Sequence, residues 1–254
     1  EYIIKGAVAI MKHLGLKKGH IGVEENKPDA IEKLRKVIAD MGHSGDIEVN
    51  VLRARSPQGA ERVMIYEITG KTLRAGMLPA DVGVILSNVT TIAFIGQYLE
   101  TGRPLTTKRV TVDGNAVAEP KNIIVPIGAR IADVIAACGG YKAEPKKILM
   151  GGPMMGRAVY SDAFPIIKNN NAILAFDGPQ ALIPEETGCI KCGRCHGACP
   201  FKLLPVSIAE AYENKDVERL QALEVMQCME CGSCSYVCPA RRPLSFINKM
   251  AKGM

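Results

Sequence analysis

The sequence predicts a mixed α/β protein of three consecutive modules: a partial, Rossmann-like parallel-sheet domain, a small β-grasp domain and an α-helical domain built around cysteines. Apolar residues alternate between helical and strand spacing over roughly the first hundred residues, and strand patterns follow. Eight of the nine cysteines then lie beyond residue 188. We place the domains at 1–106, 107–176 and 177–254.

The first domain has a β-α-β-α-β pattern, which predicts a parallel sheet with ligands bound at the carboxyl ends of its strands. The predicted strands lie at 21–23, 47–51 and 82–86, and the helices begin near Pro28, near Gly59 and after the third strand. A GxGxxG dinucleotide fingerprint is absent.

Two polar loops leave the carboxyl ends of predicted strands in this domain. One contains Glu24 and Glu25, and the other contains Ser87, Asn88 and Thr91. Asn and Ser commonly cap helices, so ordinary capping is one interpretation of these loops. A cofactor cradle at the rim of the sheet is the other, and the residues alone leave both open.

The middle of the chain changes to a strand-rich pattern. Val110 and Val112 predict a strand that ends in a turn at Asp113-Gly114, and a second strand spans 123–126. A helix near 131–138 and a strand at 148–150 follow, which together indicate a small β-grasp domain. Cys138 ends that helix, and we expect it to be a buried, small apolar residue.

Eight cysteines form two runs of the same spacing, C-x2-C-x2-C-x3-C-P. The first run is Cys189, Cys192, Cys195 and Cys199, and the second is Cys228, Cys231, Cys234 and Cys238. Three cysteines at every third position can wrap a loop around one [4Fe–4S] cube, whereas the fourth sulfur is out of local reach. In two-cluster ferredoxins the fourth cysteine of each run binds the other cluster.

The spacing therefore predicts two crossed ligand sets. One cluster takes Cys189, Cys192, Cys195 and Cys238, and the other takes Cys228, Cys231, Cys234 and Cys199. Zinc sites use pairs of CxxC and have no need for a third cysteine or the trailing Pro. Disulfides would imply an oxidising compartment, for which the sequence carries no export signal.

The segment between the two runs is long enough for helices, so this module is predicted to be an α-helical ferredoxin domain. Helices are expected at 203–213, from an N-cap at Asp216, and at 244–250. Five basic residues lie close to the cysteines and suit either docking of an acidic electron carrier or a solvated face that balances cluster charge: Lys191, Arg194, Lys202, Arg241 and Arg242.

Composition and hydropathy argue against nucleic-acid binding and against a membrane span. The formal charge of +6 falls to about +2 when two clusters, each with four thiolates, are counted, so it is weak evidence for nucleic acid. Aromatic residues make up 5% of the chain and Trp is absent, which argues against a base-stacking surface. No stretch is long and apolar enough to cross a membrane.

Four segments together resemble the RnfC family, the cytoplasmic subunit of the Rnf ion-translocating oxidoreductase. They are PQGAERVMIYEITG at 57–70, LPADVGVILSNVTT at 78–91, VPIGARIADVIAACGGY at 125–141 and KILMGGPMMG at 147–156. The two cysteine runs match as well, so the resemblance covers nearly the whole chain in order. RnfC is in turn similar to the flavoprotein subunit of respiratory complex I.

The resemblance implies FMN and NAD(H) on the α/β domain, a β-grasp domain of the SLBB type, and two [4Fe–4S] clusters. It matches Glu24 and Glu25 to an acidic cofactor loop, and Ser87, Asn88 and Thr91 to a flavin contact. The family's glycine-rich flavin loop lies upstream of residue 1, so part of the FMN pocket is expected outside this chain. No residue is assigned a catalytic role, because the cofactors carry the chemistry.

The implied activity is electron transfer between NAD and ferredoxin, coupled to movement of Na⁺ or H⁺. The implied partners are the Rnf membrane subunits and ferredoxin or another Fe–S carrier, with this chain on the cytoplasmic face of the membrane. A microcompartment cobalamin reductase has the same architecture, and an Fe–S adaptor without flavin or nicotinamide would retain only the clusters. Both remain alternatives on sequence grounds.

Overall fold

A computed structural model describes residues 1–254, which form two compact units, Glu1–Pro104 and Leu105–Met254. The first unit alternates helices and strands, with a 3₁₀ turn at Pro79–Val82 before its last helix. In chain order its elements are α1 (Tyr2–Leu14), β1 (Gly19–Glu24), α2 (Pro28–Asp40), β2 (Ile47–Leu52), α3 (Glu61–Thr69) and α4 (Val89–Thr101).

The first unit contains a parallel pair of strands, β1 and β2, in the register Ile21 to Val49. Ile47 and Val49 of β2 are buried and alternate with less buried polar residues, as in a half-covered strand. They pack with apolar side chains of α1 and α2, which supply Ile4, Met11, Ile31 and Ile38 to the core. Both strands end at the same edge of the sheet, so the loops that follow them are neighbours.

The predicted third strand at 82–86 is wrong. Val82, Val84 and Leu86 alternate in burial with exposed neighbours, but the segment pairs with neither β1 nor β2. A strand is defined by the neighbour that shares its hydrogen bonds, and an alternating apolar pattern cannot report whether that neighbour is present. The segment therefore leads into α4 as irregular chain, with Ile85 55% exposed.

The second unit begins with a five-stranded mixed sheet of order β4-β3-β7-β5-β6. β3 pairs parallel with β7, and the other pairs are antiparallel. The elements are β3 (Thr107–Asp113), β4 (Lys121–Pro126), α5 (Ile131–Ala136), β5 (Lys147–Met150), β6 (Arg157–Val159) and β7 (Ala172–Phe176). The predicted strands and helix of this region are confirmed.

A single apolar core lies between this sheet and α5. It includes Val110, Val112, Ile131 and Ile135, all at most 1% exposed. Cys138 is also fully buried in this core, as predicted, and burial raises the pKa of its thiol.

The remainder of the second unit is helical, with short helices grouped around the cysteine loops. They are α6 (Arg194–Ala198), α7 (Pro205–Glu213), α8 (Val217–Ala222), α9 (Ser233–Tyr236) and α10 (Leu244–Ala251). Asp216 caps α8 by accepting a hydrogen bond from the Arg219 N–H, as predicted. No helix of the chain has both the length and the apolar character that a bilayer span requires.

Candidate iron–sulfur and flavin sites

The two cysteine runs fold into the same backbone path. In each run, the residue before the second cysteine and the glycine after it adopt left-handed conformations. These are Lys191 and Gly193 in the first run, with φ of 55° and 73°, and Glu230 and Gly232 in the second, with φ of 58° and 81°. The repeated left-handed residues give both loops the same turn around the second cysteine of the run.

The first cysteine site combines three residues of the first run with the last cysteine of the second. Cys189, Cys192, Cys195 and Cys238 line one cavity of about 250 Å³. Cys192 is exposed to solvent, whereas the other three are partly buried. Apolar side chains of α7 and its preceding loop, Leu204 among them, form part of the cavity wall.

The second cysteine site groups the other four residues and is less accessible. Cys231 and Cys234 are buried, at 9% and 8% exposed, and the Cys234 sulfur interacts electrostatically with Cys228, Cys231 and Cys199. Cys199 and Cys228 also pack against one apolar cluster with Leu203 and Leu220. Burial, followed by the neighbouring sulfurs, raises the pKa of Cys234 to about 12.

Hydrogen bonds to the sulfurs differ between the two sites. At the first site they come from the backbone: Lys191 N–H donates to Cys189 Sγ at 3.4 Å, and Cys195 receives backbone N–H groups. At the second site side chains contribute too. Burial raises the pKa of Cys228, but the Glu230 N–H, the Asn248 amide and the charge of Lys252 act against this rise.

The donor set fits iron–sulfur clusters better than single metal ions. A single zinc ion needs its ligands close together, because a zinc–thiolate bond is about 2.3 Å long. No three His, Cys, Asp or Glu side chains converge closely enough to hold one ion. At the first site the four cysteines instead line one cavity, which suits a cube that presents an iron to each. Buried thiols with raised pKa values also need positive charge nearby before they ionise, and iron supplies it.

Among the residues predicted to contact the flavin, Glu24 is half-buried and the others are exposed. Glu24 pairs with Lys27 Nζ at 2.6 Å, and Glu25 accepts a hydrogen bond from the Ala54 N–H at 3.2 Å in the loop after β2. The Glu25 contact thus joins the loops at the carboxyl ends of β1 and β2.

Asn88 is the N-cap of α4. Its Oδ1 accepts hydrogen bonds from the Thr90 N–H at 2.9 Å and the Thr90 hydroxyl at 2.7 Å. Ser87 and Thr91 are exposed beside it. The helix cap considered from sequence is therefore present at Asn88.

The five basic residues predicted near the cysteines divide into two groups. Lys191 lines the first site, and the Arg242 side chain, only 15% exposed, is paired with Glu213 at 2.9 Å. Arg194 and Arg241 line grooves near Cys238, and Lys202 reaches only the Gly197 carbonyl. Arg242 is thus a structural residue, whereas the others stay available to a partner.

Sequence reasoning missed the polar side chains around the second site. Asn248 is 1% exposed on the face of α10 that also carries buried Leu244 and Ala251. Ser233 is buried, and its Oγ lies 3.5 Å from the Sγ of Cys231. An Asn at helical spacing within an apolar stripe is the signal that could have identified the first of these.

Three family models match the chain in succession. Residues 1–97 match the Nuo51 FMN-binding domain, residues 109–158 the SLBB domain, and residues 181–239 the 4Fe-4S dicluster domain. The predicted fold class and the predicted cofactor domains are therefore confirmed.

Curated relatives match over most or all of the chain. It is 42% identical over 252 residues to the C subunit of the Na⁺-translocating ferredoxin:NAD⁺ oxidoreductase complex of Acetobacterium woodii, covering 99% of this chain and 56% of that protein. The C subunit of the proton-translocating complex of Clostridium ljungdahlii is 42% identical over 205 residues, covering 81% and 44%. The C subunit of the ion-translocating oxidoreductase complex of Rhodobacter capsulatus is 35% identical, covering 100% and 48%.

A solved structure supports the same fold. The NAD⁺-reducing [NiFe]-hydrogenase in its H₂-reduced state superposes with a TM-score of 0.62 at 16% identity, covering 99% of this chain and 49% of that one. The chain spans about half the length of the curated relatives it matches. Through the three ordered domain matches and its identity to these relatives, the chain belongs to the RnfC family.

Proposed function

We propose that this chain is the electron-transfer part of a membrane-associated ferredoxin:NAD oxidoreductase that couples electron flow to Na⁺ or H⁺ translocation. The observation that carries the proposal is the first cysteine site, where the last cysteine of one run joins three of the other around a cavity. The names of the relatives at 35% and 42% identity support the same activity.

The proposed ligand sets follow the two sites. Cys189, Cys192, Cys195 and Cys238 would hold one [4Fe–4S] cluster, and Cys199, Cys228, Cys231 and Cys234 the other. The clusters supply reversible one-electron transfer when bound. The chain's own contribution is to fix the sulfurs, to limit water at the second site and to direct N–H groups at the sulfurs, which together set the potentials.

We also propose a division into three domains at 1–106, 107–176 and 177–254. The compact units separate at Pro104, and the family matches at 1–97, 109–158 and 181–239 fall within these bounds. In this arrangement the flavin and nicotinamide chemistry belongs to the first domain and the two clusters to the third.

The exposed loops of the first unit fit one wall of an FMN site. Asn88 Oδ1 is occupied within the helix cap, which leaves its amide NH₂ as the donor for a ligand. Exposed Ile85 and Val89 flank it and offer an apolar surface to a planar ring. Glu24, Glu25, Ser87 and Thr91 would add polar contacts, and NAD(H) would bind against the flavin.

Partners and location follow from the family and are proposed in the same way. The Rnf membrane subunits would hold the chain on the cytoplasmic face of the membrane, and ferredoxin or another Fe–S carrier would exchange electrons with the clusters. Lys191, which lines the first site, would favour an acidic carrier there.

Metal and sulfide analysis of the anaerobically purified intact protein tests the cluster assignment. We expect about eight iron and eight sulfide per chain, with the absorption and EPR signals of [4Fe–4S] clusters. A preparation in which zinc occupies the cysteines, without acid-labile sulfide, would refute the proposed function.

The FMN wall is tested with two substitutions at Asn88 in the intact protein. Asn88→Ser keeps a capping oxygen but removes the amide donor, whereas Asn88→Ala removes both. Loss of one hydrogen bond, worth about 1 kcal/mol, should weaken FMN binding about fivefold in both variants. If FMN affinity is unchanged while only Asn88→Ala loses stability, Asn88 serves the helix alone.

A further inference from the structure

The C-terminal helix α10 and the capping residue that follows it contact the second cysteine site through two side chains four positions apart, Asn248 and Lys252. The buried Asn248 amide lies against Cys228, where hydrogen bonding to the sulfur acts to lower the pKa of the thiol. Lys252 Nζ donates to the Cys228 carbonyl at 3.1 Å and to Glu230 Oε1 at 2.8 Å. Residues four apart lie on one face of a helix, so both groups reach the same cysteine.

Burial of the Asn248 side chain is costly unless its contact serves the site. Asn248 is 1% exposed, and its Oδ1 has no hydrogen-bond partner. An unpartnered buried acceptor generally destabilises a protein by about 1–3 kcal/mol. The Asn248 amide nitrogen thus faces the sulfur while the amide oxygen is left without a partner. An apolar residue of similar volume would avoid the cost of that unpaired oxygen.

We propose that α10 is a tuning helix, in which Asn248 and Lys252 raise the reduction potential of the iron–sulfur cluster at the second cysteine site. The proposal rests on the proposed function, because it requires a cluster bound by Cys199, Cys228, Cys231 and Cys234. The redox step adds one electron from a one-electron donor, with no proton or ligand exchanged.

The direction of the effect follows from charge. A doubly positive core with four thiolates carries two negative charges, and reduction adds a third. A hydrogen-bond donor on a sulfur and a nearby ammonium group both favour the more negative state, so they raise the potential. Burial of Cys231 and Cys234 acts in the opposite direction, because a low dielectric disfavours added charge. The tuning helix thus offsets the burial of its site.

The first site provides the contrast within the same molecule. Cys189 and Cys195 receive their hydrogen bonds from backbone N–H groups, which side-chain substitution leaves in place. Cys192 is exposed, so water also stabilises the reduced state there. The reduction potential of the first site is consequently independent of side-chain donors, whereas that of the second site depends on Asn248 and Lys252.

Potentiometric titration with dithionite, followed by EPR on the intact, cluster-loaded protein, tests this proposal. Asn248→Leu removes the donor at nearly constant volume, and Lys252→Met removes the charge but keeps the chain. In each variant we expect one of the two midpoint potentials to fall and the other to stay. A tenfold change in the reduction equilibrium corresponds to about 59 mV for one electron.

Lys249→Met is the matched control on the same helix. Lys249 Nζ lies 3.7 Å from Glu230 Oε2, and the Lys249 side chain is 59% exposed. Lys249→Met removes the same positive charge as Lys252→Met. The midpoints should stay at their original values in this variant, and Lys252→Arg should restore the potential lost in Lys252→Met.

Two results would overturn the tuning role. One is an unchanged pair of midpoints in both Asn248→Leu and Lys252→Met, and the other is an equal shift in Lys249→Met and Lys252→Met. If Asn248→Leu fails to load iron, Lys252→Met decides the question alone. A wild-type protein without eight iron and eight sulfide would instead refute the proposed function, so the two failures are distinguishable.

Discussion

The two cysteine loops have the same spacing and the same backbone path but lie in different environments. Gly193 and Gly232 occupy equivalent positions with φ of 73° and 81°. The first loop keeps an exposed Cys192, whereas Cys231 at the same place in the second is buried. The repeated spacing therefore determines the backbone path of each loop, whereas distant segments of the chain determine how exposed its cysteines are.

Two neighbours account for the difference. The turn between β5 and β6 places Met154 against Gly232, where an added Cβ would lie 2.9 Å from the Met154 carbonyl oxygen. Helix α10 covers Cys228 from another side. An added Cβ on Gly193 would meet no atom within 4 Å. The second loop is thus enclosed by two elements that the first loop lacks.

Removing the exchanged cysteines should have the largest effect on this comparison. In Cys199→Ala the second site loses a ligand although the substitution lies in the first run, so Cys228, Cys231 and Cys234 should become reactive. Alkylation of the folded protein, read by mass spectrometry, should label these three and spare Cys189, Cys192 and Cys195. About half of the iron should be lost.

Cys238→Ala is the reciprocal variant and should expose the first-run cysteines instead. Labelling of Cys189, Cys192 and Cys195 in Cys199→Ala would mean that each run holds its own cluster. The accessible and the enclosed site would then each have to be assigned the four cysteines of a single run.

The local part of this arrangement could be predicted from sequence, because spacing within a run is a short-range property. The left-handed residues and the three-cysteine turn follow from residues a few positions apart. The enclosure of the second site could not, since Met154 and Asn248 reach it from other elements. Nothing in the C-x2-C-x2-C-x3-C-P pattern distinguishes the two runs.

The same limit explains the one wrong element of the fold prediction. Val82, Val84 and Leu86 have the alternation of a strand, and their burial alternates accordingly. Strand formation requires a hydrogen-bonded neighbour, which is a long-range property. In contrast, Pro28 at the start of α2 and Asp216 at the cap of α8 act locally, and both predictions are confirmed.

Iron release should show the next largest difference between the sites. Exposure of Cys192 gives a chelator direct access to the first site, whereas Cys231 and Cys234 are at most 9% exposed. We expect two phases of iron loss when the anaerobic protein meets a colorimetric chelator, with the faster phase from the first site. Alkylation at intervals should label Cys192 well before Cys234.

Labelling of Cys234 before or together with Cys192 would contradict the difference in access. A single phase of release with all eight cysteines labelled together would point to cooperative unfolding of the domain, and the separate environments would then have no kinetic consequence. Mixing the chelator with the Cys199→Ala variant provides a control, because only the first-site phase should remain.

The smallest expected effect concerns the matched glycines, and it isolates packing from backbone strain. Gly193→Ala and Gly232→Ala each place a Cβ on a left-handed residue, at a cost of about 1 kcal/mol. For a domain of this size that lowers the Tm by about 2–4 °C. Gly232→Ala must in addition displace the Met154 carbonyl, which belongs to the backbone and cannot rotate away. Thermal unfolding of the cluster-loaded protein should therefore show at least twice the loss for Gly232→Ala, whereas equal losses would mean that the turn at Met154 yields freely and does not enclose the second site.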